Sequence, residues 1–329
     1  MAAFVVCAGS FMGKLQWSLM ATLYESIRES LLRLGPHHPV LRQAIRLQAK
    51  LNGFRLTTSG TCLELSKGTR RMLLPLNHHP QVPTAIYMWD LYFDTIEPEM
   101  NGEVEALDFS VPGLRRYKST GVSLWAPGMA EDDTMSVYTA HYAPKAGDVV
   151  WDVGAHAGAT VYFFAQMVGP EGKVYAFEPD DLNYDFLLRN IKLHDMKNVV
   201  PIKKALAGET GTASFSMDGT QGAGIEGFSQ CVDQKKMSTV ETLSFADACK
   251  NYGVPDFVKM DIEGVETDVI ERSLEFIAQN PIRFAIETDH RIHGEFTTGP
   301  ICRLFSSVNY EAFSSVEYGM QFAWAAPRA

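Results

Sequence analysis

The chain has 329 residues, 46% of them hydrophobic and 21% charged, which is ordinary globular composition and enough length for two domains. A net charge of -10 and a sequence pI of about 5.4 argue against nucleic acid or an anionic membrane as partner, and Arg115-Arg116-Tyr117-Lys118 is too short a basic run to change that. Cys7, Cys62, Cys231, Cys249 and Cys302 are scattered, odd in number and free of C-x-x-C spacing, so neither a zinc knuckle nor a disulfide framework is suggested, and reduced thiols in a cytoplasm are the simplest reading.

The start, MAAFVVCAGSFMGK, is apolar but lacks a basic n-region, so a signal peptide is not expected. No apolar run approaches about 18 residues, so no membrane insertion is expected. Leu19, Leu23, Ile27 and Leu31 recur every fourth residue, which predicts an amphipathic helix over 15–34, stopped by Gly35-Pro36. Pro39 opens a second helix that Gly53 ends. Two packed helices are the simple reading; a partner surface, and with it a homodimer through this region, is the other. Over 54–76 the period falls to two, around Ser59-Gly60 and Lys67-Gly68-Thr69, which predicts a small meander. Residues 82–98 hold Tyr87, Trp89, Tyr92 and Phe93, read either as core packing or as a wall over a substrate pocket. Strand and turn follow over 107–126, and 126–133 is the best linker. The domains are therefore set at 1–133, an N-terminal α+β extension, and 134–329.

A short helix is expected over 134–142, and regular α/β pattern begins there. Val149, Val150, Trp151 and Val153 form a strand, Asp152-Val153-Gly154-Ala155-His156-Ala157-Gly158 a turn, and Val174-Tyr175-Ala176-Phe177 a second strand ending at Glu178. A dinucleotide site wants G-x-G-x-x-G; here the spacing is D-x-G-x-x-x-G. Asp152 would repel a pyrophosphate and suit a cationic amino group, such as the methionine end of S-adenosylmethionine. Glu178 is placed to accept from both ribose hydroxyls. The bland alternative makes Gly154 and Gly158 mere turn and packing glycines, but strand, turn, helix, strand and acid all occur in order.

Downstream, a helix is expected over 182–193, capped by Asp180 or Asp181, and a third strand over 199–202. Ala205 to Gly208 would pass beside an adenine ring. Two short strands, 212–217 and 239–243, flank a glycine-rich loop over 218–234. A fourth strand over 256–260 ends at Asp261 and a fifth over 282–286 ends at Glu287-Thr288-Asp289-His290. A last helix over 296–308 and a closing hairpin, 310–316 with 320–324, complete the chain. In an open parallel sheet, ligands sit at the carboxyl ends of the strands, so Asp152, Glu178, Asp261, Glu287 and His290 should share one rim. Helix capping is the alternative role for Asp261 and Glu263.

The blocks GDVVWDVGAHAG, VYAFEPD, FVKMDIEGVE and FAIETDH, in this order, resemble the FkbM-type S-adenosylmethionine-dependent methyltransferases over roughly 134–329. The resemblance implies a Rossmann-like class I sheet of seven strands with the last antiparallel. It also implies methyl transfer from S-adenosylmethionine, usually to a hydroxyl of a sugar or natural product. By position, Asp152, Gly154, Ala155 and Gly158 would hold the methionine end, Glu178 the ribose and Ala205 the adenine. Asp261 and Glu263 would lie near the amino-acid end or the acceptor. Two departures stand out: the family typically has Asn where His156 stands, and an acid where Ser244 stands.

For a hydroxyl acceptor, His290 is the first candidate base because imidazole titrates near neutral pH; Asp261 is second and His156 third. Asp261, Glu287 and His290 could also hold magnesium, but no ligand spacing is distinctive and no metal is expected. The favoured reading is a small-molecule O-methyltransferase in biosynthesis. Its competitors are a methyltransferase-like scaffold using the N-terminal helices and a nicotinamide-dependent oxidoreductase, the latter weakened by the missing G-x-G-x-x-G.

Overall fold

The computed structural model describes residues 38–76, 81–129, 135–216, 224–225, 237–292, 295–317 and 320–328. The helix expected over 15–34, nearly all of the loop over 218–234 and the linker residues 130–133 lie outside them. The chain divides into two compact units, residues 1–123 with 128–132 and residues 124–127 with 133–329.

In the first unit, Pro39 opens helix α1, Pro39–Leu51, and His38 caps it by accepting the Val40 N–H. Leu41, Ile45 and Ala49 are its buried face. The meander follows as β1 Arg55–Ser59, β2 Cys62–Lys67 and β3 Arg70–Pro75. Leu63, Leu65, Met72 and Leu74 face the core at every second position. The aromatic segment forms two short helices, α2 Val82–Tyr87 and α3 Trp89–Thr95. Trp89 packs edge-on to Phe54, and Phe93 and Tyr92 are fully buried, so core packing is the role of three of the four aromatics. Tyr87 alone is exposed. Strands β4 Glu99–Asn101 and β5 Val104–Asp108 extend the meander to five strands in the order β1-β2-β3-β5-β4, with β3 and β5 parallel. Strand β6 Gly113–Arg116 belongs to this unit, and β7 Ser123–Ala126 lies mostly in the second.

The second unit opens with a single turn, α4 Met135–Tyr138, shorter than the expected helix because the chain extends from His141 through Pro144. Then β8 Val149–Val153, α5 Ala159–Val168, β9 Lys173–Phe177, α6 Asp181–Leu193 and β10 Val199–Ile202 alternate. An inserted sheet of β11 Ala205–Leu206, β12 Gly211–Ser216 and β13 Met237–Leu243 precedes α7 Phe245–Tyr252. The chain continues through β14 Phe257–Met260, α8 Glu266–Ala278, β15 Arg283–Glu287 and a small hairpin, β16 Arg291–Ile292 with β17 Glu295–Phe296. Helix α9 Thr298–Ser306 and strands β18 Tyr310–Glu317 and β19 Met320–Pro327 end it.

The main sheet has seven strands in the order β10-β9-β8-β14-β15-β19-β18. The first five are parallel, and β19 enters antiparallel between β15 and β18. This is the Rossmann-like arrangement expected, with ligands favoured where the order reverses, between β8 and β14. The central strands are apolar on both faces because helices cover both. Trp151 and Val153 point into one core layer, and Val150 into the other. Among the described residues, no helix is long and apolar enough to cross a membrane.

Candidate active site

The site lies at the carboxyl ends of β8, β9, β14 and β15, all in the second unit. After β8 the chain turns through Gly154 at φ 81°, His156 at φ 46° and Gly158 at φ 88°. A Cβ on Gly154 would overlap the Asp261 carbonyl oxygen, so glycine here lets the loop after β14 press against the loop after β8. The left-handed conformation of His156 is one that asparagine adopts more readily than histidine. Gly154 N–H and Ala155 N–H both donate to the Phe177 carbonyl, at 3.1 and 2.9 Å, tying the turn to β9.

Glu178, just beyond β9, is buried. Its Oε2 accepts the His156 N–H and its Oε1 the Asp180 N–H, both at 2.8 Å. Burial pushes this carboxyl up to about 7, against the pull of His156 and the two N–H donors. Asp180 in turn caps α6 by accepting from Leu182 and Asn183 N–H.

The structure changes the expected role of Asp152. Its side chain is fully buried, takes a hydrogen bond from Thr160 Oγ1 and lies 3.2 Å from Lys259 Nζ. Lys259 is the residue directly opposite on β14, equally buried, and it also donates to the Gly154 carbonyl at 2.6 Å. Asp152 is thus not a free carboxylate awaiting a cationic ligand; it neutralises a buried ammonium and fixes the turn. Lys259 went unnoticed in the sequence because one charge in FVKM looks like a strand accident.

The charge open to a ligand lies on the rim. Asp261, Glu263 and His290 bring one ligand atom each within 4.8 Å of one another, close enough for a divalent ion to bridge. Glu287, grouped with Asp261 and His290 from the sequence, instead accepts the Tyr138 hydroxyl at 2.7 Å, and Glu263 takes its place. His290 Nε2 is 3.5 Å from Glu263 and 3.8 Å from Asp261, and its Nδ1 is 3.2 Å from Glu266. Burial alone would lower the imidazole, but Glu266, Glu263 and Asp261 outweigh it and hold His290 well above its ordinary value. Burial also raises Asp261, Glu263 (up to about 8) and Glu287. For Glu266, burial is outweighed by His290 and by backbone donors, and the carboxyl is lowered.

Glu266 is the second residue that the sequence reading passed over. It accepts from Ile262 N–H at 2.9 Å and Gly264 N–H at 3.2 Å, closing the D-I-E-G-V-E turn while facing His290. The signal was present as an acid one turn from Asp261 at a helix start. Asn190 is the third. Wholly buried on α6, it bonds both backbone groups of Trp125 and donates to the Ala157 carbonyl, so it clamps the glycine turn. These bonds also explain why 124–127 belong to the second unit.

Ala205 packs with Phe215 and Val240 in the inserted sheet, and the buried His156 bears electrostatically on Glu178. Ser244, where an acid was typical, caps α7 through Asp247 N–H.

The family described as the Methyltransferase FkbM domain matches residues 152–312. No curated protein matches the chain. Among solved structures, a methyltransferase FkbM from Methylobacillus flagellatus KT is 15% identical, covering 59% of this chain and 48% of its own, with TM-score 0.43. The chain thus spans about half the length of that relative. A SAM dependent methyltransferase from Aquifex aeolicus is 14% identical over 58% of this chain and 88% of its own, TM-score 0.37. A SAM-dependent O-methyltransferase from Thermotoga maritima is 14% identical over 61% and 67%, TM-score 0.38.

Proposed function

We propose that this chain, whose residues 152–312 match the Methyltransferase FkbM domain, transfers a methyl group from S-adenosylmethionine to a hydroxyl of a small molecule such as a sugar or natural product. The donor, when bound, supplies a methyl on a sulfonium that an oxygen nucleophile takes by in-line displacement. Glu178 is the observation that carries the reading. Each of its oxygens accepts one backbone N–H and keeps a second acceptor position, so the carboxylate offers two acceptors side by side to a vicinal diol such as a ribose. Gly154, Ala155 and Gly158 would border the methionine end. The surplus of rim carboxylates over His290 would favour a cationic ligand there, while Asp152 and Lys259 hold the turn from beneath.

Asp261 is the group we assign to take the hydroxyl proton. Its side chain is 30% exposed, the most open of the rim acids around His290, and burial makes it a stronger base than a free carboxylate. His290, held protonated by Glu266, would orient Asp261 and Glu263 rather than accept the proton itself. A reducing compartment, the cytoplasm, suits the described cysteines Cys62, Cys249 and Cys302, which are free thiols.

The test is calorimetric titration with S-adenosylmethionine, S-adenosylhomocysteine and NAD, on the wild type and on Glu178→Ala. Micromolar binding of the first two, lost in the variant, is expected. NAD binding in their place, or no binding at all, would overturn the proposal.

A further inference from the structure

A second charged site lies in the first unit, and its sign is opposite to that of the chain. The protein carries a net charge of -10, yet a cleft of about 510 Å³ gathers Lys50, Arg55, Lys67 and Arg71 against one carboxylate, Glu64. The sheet register builds it. Arg55 on β1 pairs with Ser66 on β2, and Ser66 pairs with Arg71 on β3. Three residues in a cross-strand row share one face, so two arginines flank one serine there. That face is the outward one, since Leu63, Leu65, Met72 and Leu74 occupy the other.

Glu64 is committed to Arg71, with Oε1 2.6 Å from Nη1. Among the described residues no carboxylate pairs with Lys50, Arg55 or Lys67. Lys50 closes one side from the last turn of α1. Lys67 is steadied by the Phe54 ring, its Nζ 4.8 Å from the centroid. Gly53 and Gly68 line the cleft in left-handed turns that favour glycine, so no side chain projects there. Uncompensated like charges gathered in one concavity repel each other, and the arrangement is relieved by an anion.

We propose that this cleft binds a phosphate- or diphosphate-bearing small molecule. Guanidinium forks match phosphate oxygens in pairs, and lysine ammonium groups add point charge. That pairwise match to the oxygens of a discrete phosphate favours such a ligand over the diffuse charge of an anionic membrane. Phe54, the aromatic in the cleft wall, is buried, so no exposed ring offers the stacking platform that single-stranded nucleic acid uses. The site rests on residues 50–71 alone and stands whether or not the methyl-transfer reading does.

The experiment is calorimetric titration of the full chain with inorganic pyrophosphate, and in parallel arms with sulfate and with phosphatidylserine vesicles. Pyrophosphate is expected to bind, more tightly than sulfate, and to weaken as salt is raised. Arg55→Gln combined with Lys67→Gln should weaken it by about tenfold or more, as expected for lost charge-assisted bonds. Both side chains are exposed, so the variant should keep the wild-type melting temperature. Lys197→Gln, at an exposed lysine outside the cleft, should leave binding unchanged. No pyrophosphate binding, equal binding in the double variant, or binding to vesicles alone would each overturn the proposal.

Discussion

Asp152 with Lys259, and Asp261 with Glu263 around His290, lie a few residues apart along β8 and β14, yet they are opposite solutions to burying charge. Beneath the glycine turn one carboxylate meets one ammonium, each almost wholly buried, with Thr160 and the Gly154 carbonyl taking further bonds. On the rim, several carboxylates share a single imidazole, and burial raises Asp261, Glu263 and Glu287 instead of letting them ionise freely. The first arrangement is closed and does structural work. The second is electrostatically incomplete, which is what a site that receives a ligand looks like.

The largest effect is expected where the closed pair is broken. Lys259→Met leaves Asp152 buried without its counter-charge and should cost about 3–5 kcal/mol of stability in urea unfolding. Replacing both partners, with Asp152→Leu added, should recover part of that loss. If the double variant is no more stable than the single one, the pair is not the closed unit described. Next in size is the rim. Asp261→Asn should keep the fold while lowering kcat by about two to four orders of magnitude, the usual worth of a positioned base. A kcat within about twofold of wild type would remove Asp261 from the proton transfer.

The comparison also explains what could be read from the sequence. Acids at strand ends are visible once the strands are, because period-two and period-3.6 patterns place them, and Glu178, Asp261, Glu287 and His290 do gather at one end of the sheet. What stayed hidden depends on register between distant segments. Nothing local says that Lys259 faces Asp152, or that Asn190 on α6 holds both Trp125 and Ala157. The parallel β3–β5 pairing in the first unit was hidden for the same reason. Nor does anything local show that Tyr138, on the short helix before β8, donates its hydroxyl to Glu287. The surroundings of His290 are hidden in the same way: it reads as a neutral-pH base in isolation, whereas Glu266, Glu263 and Asp261 beside it raise the imidazole above its ordinary value.

Glu178 sharpens the contrast because it sits between the two solutions, buried like Asp152 but partnered by N–H groups instead of a cation. Its folded-state value, about 7, lies above that of a free glutamate near 4.5. The stability it contributes is therefore full below about 4.5 and is lost as pH rises through about 7. Donor binding should run the other way, since the ionised carboxylate is the better acceptor for hydroxyls. S-adenosylhomocysteine affinity is expected to improve between pH 6 and 8, by about tenfold at most. In Glu178→Gln the affinity should be weaker and flat across that range. A wild-type affinity that is already flat would show that Glu178 does not titrate against the ligand.

The smallest effect is expected from removing divalent metal. Asp261, Glu263 and His290 lie close enough to share an ion, but a histidine ligand must present a lone pair, and Glu266 stabilises the protonated ring. A metal would have to expel that proton and give up the His290–Glu266 attraction, whereas a proton already balances part of the cluster. Methyl transfer should thus survive exhaustive chelation with a rate change of less than about twofold, and Glu266→Gln should change that. With the carboxylate gone, the ring loses its proton more readily, and manganese affinity should rise, read as metal retained through dialysis. Loss of activity on chelation, restored by manganese in the wild type, would mean that the rim is completed by an ion and not by the proton on His290.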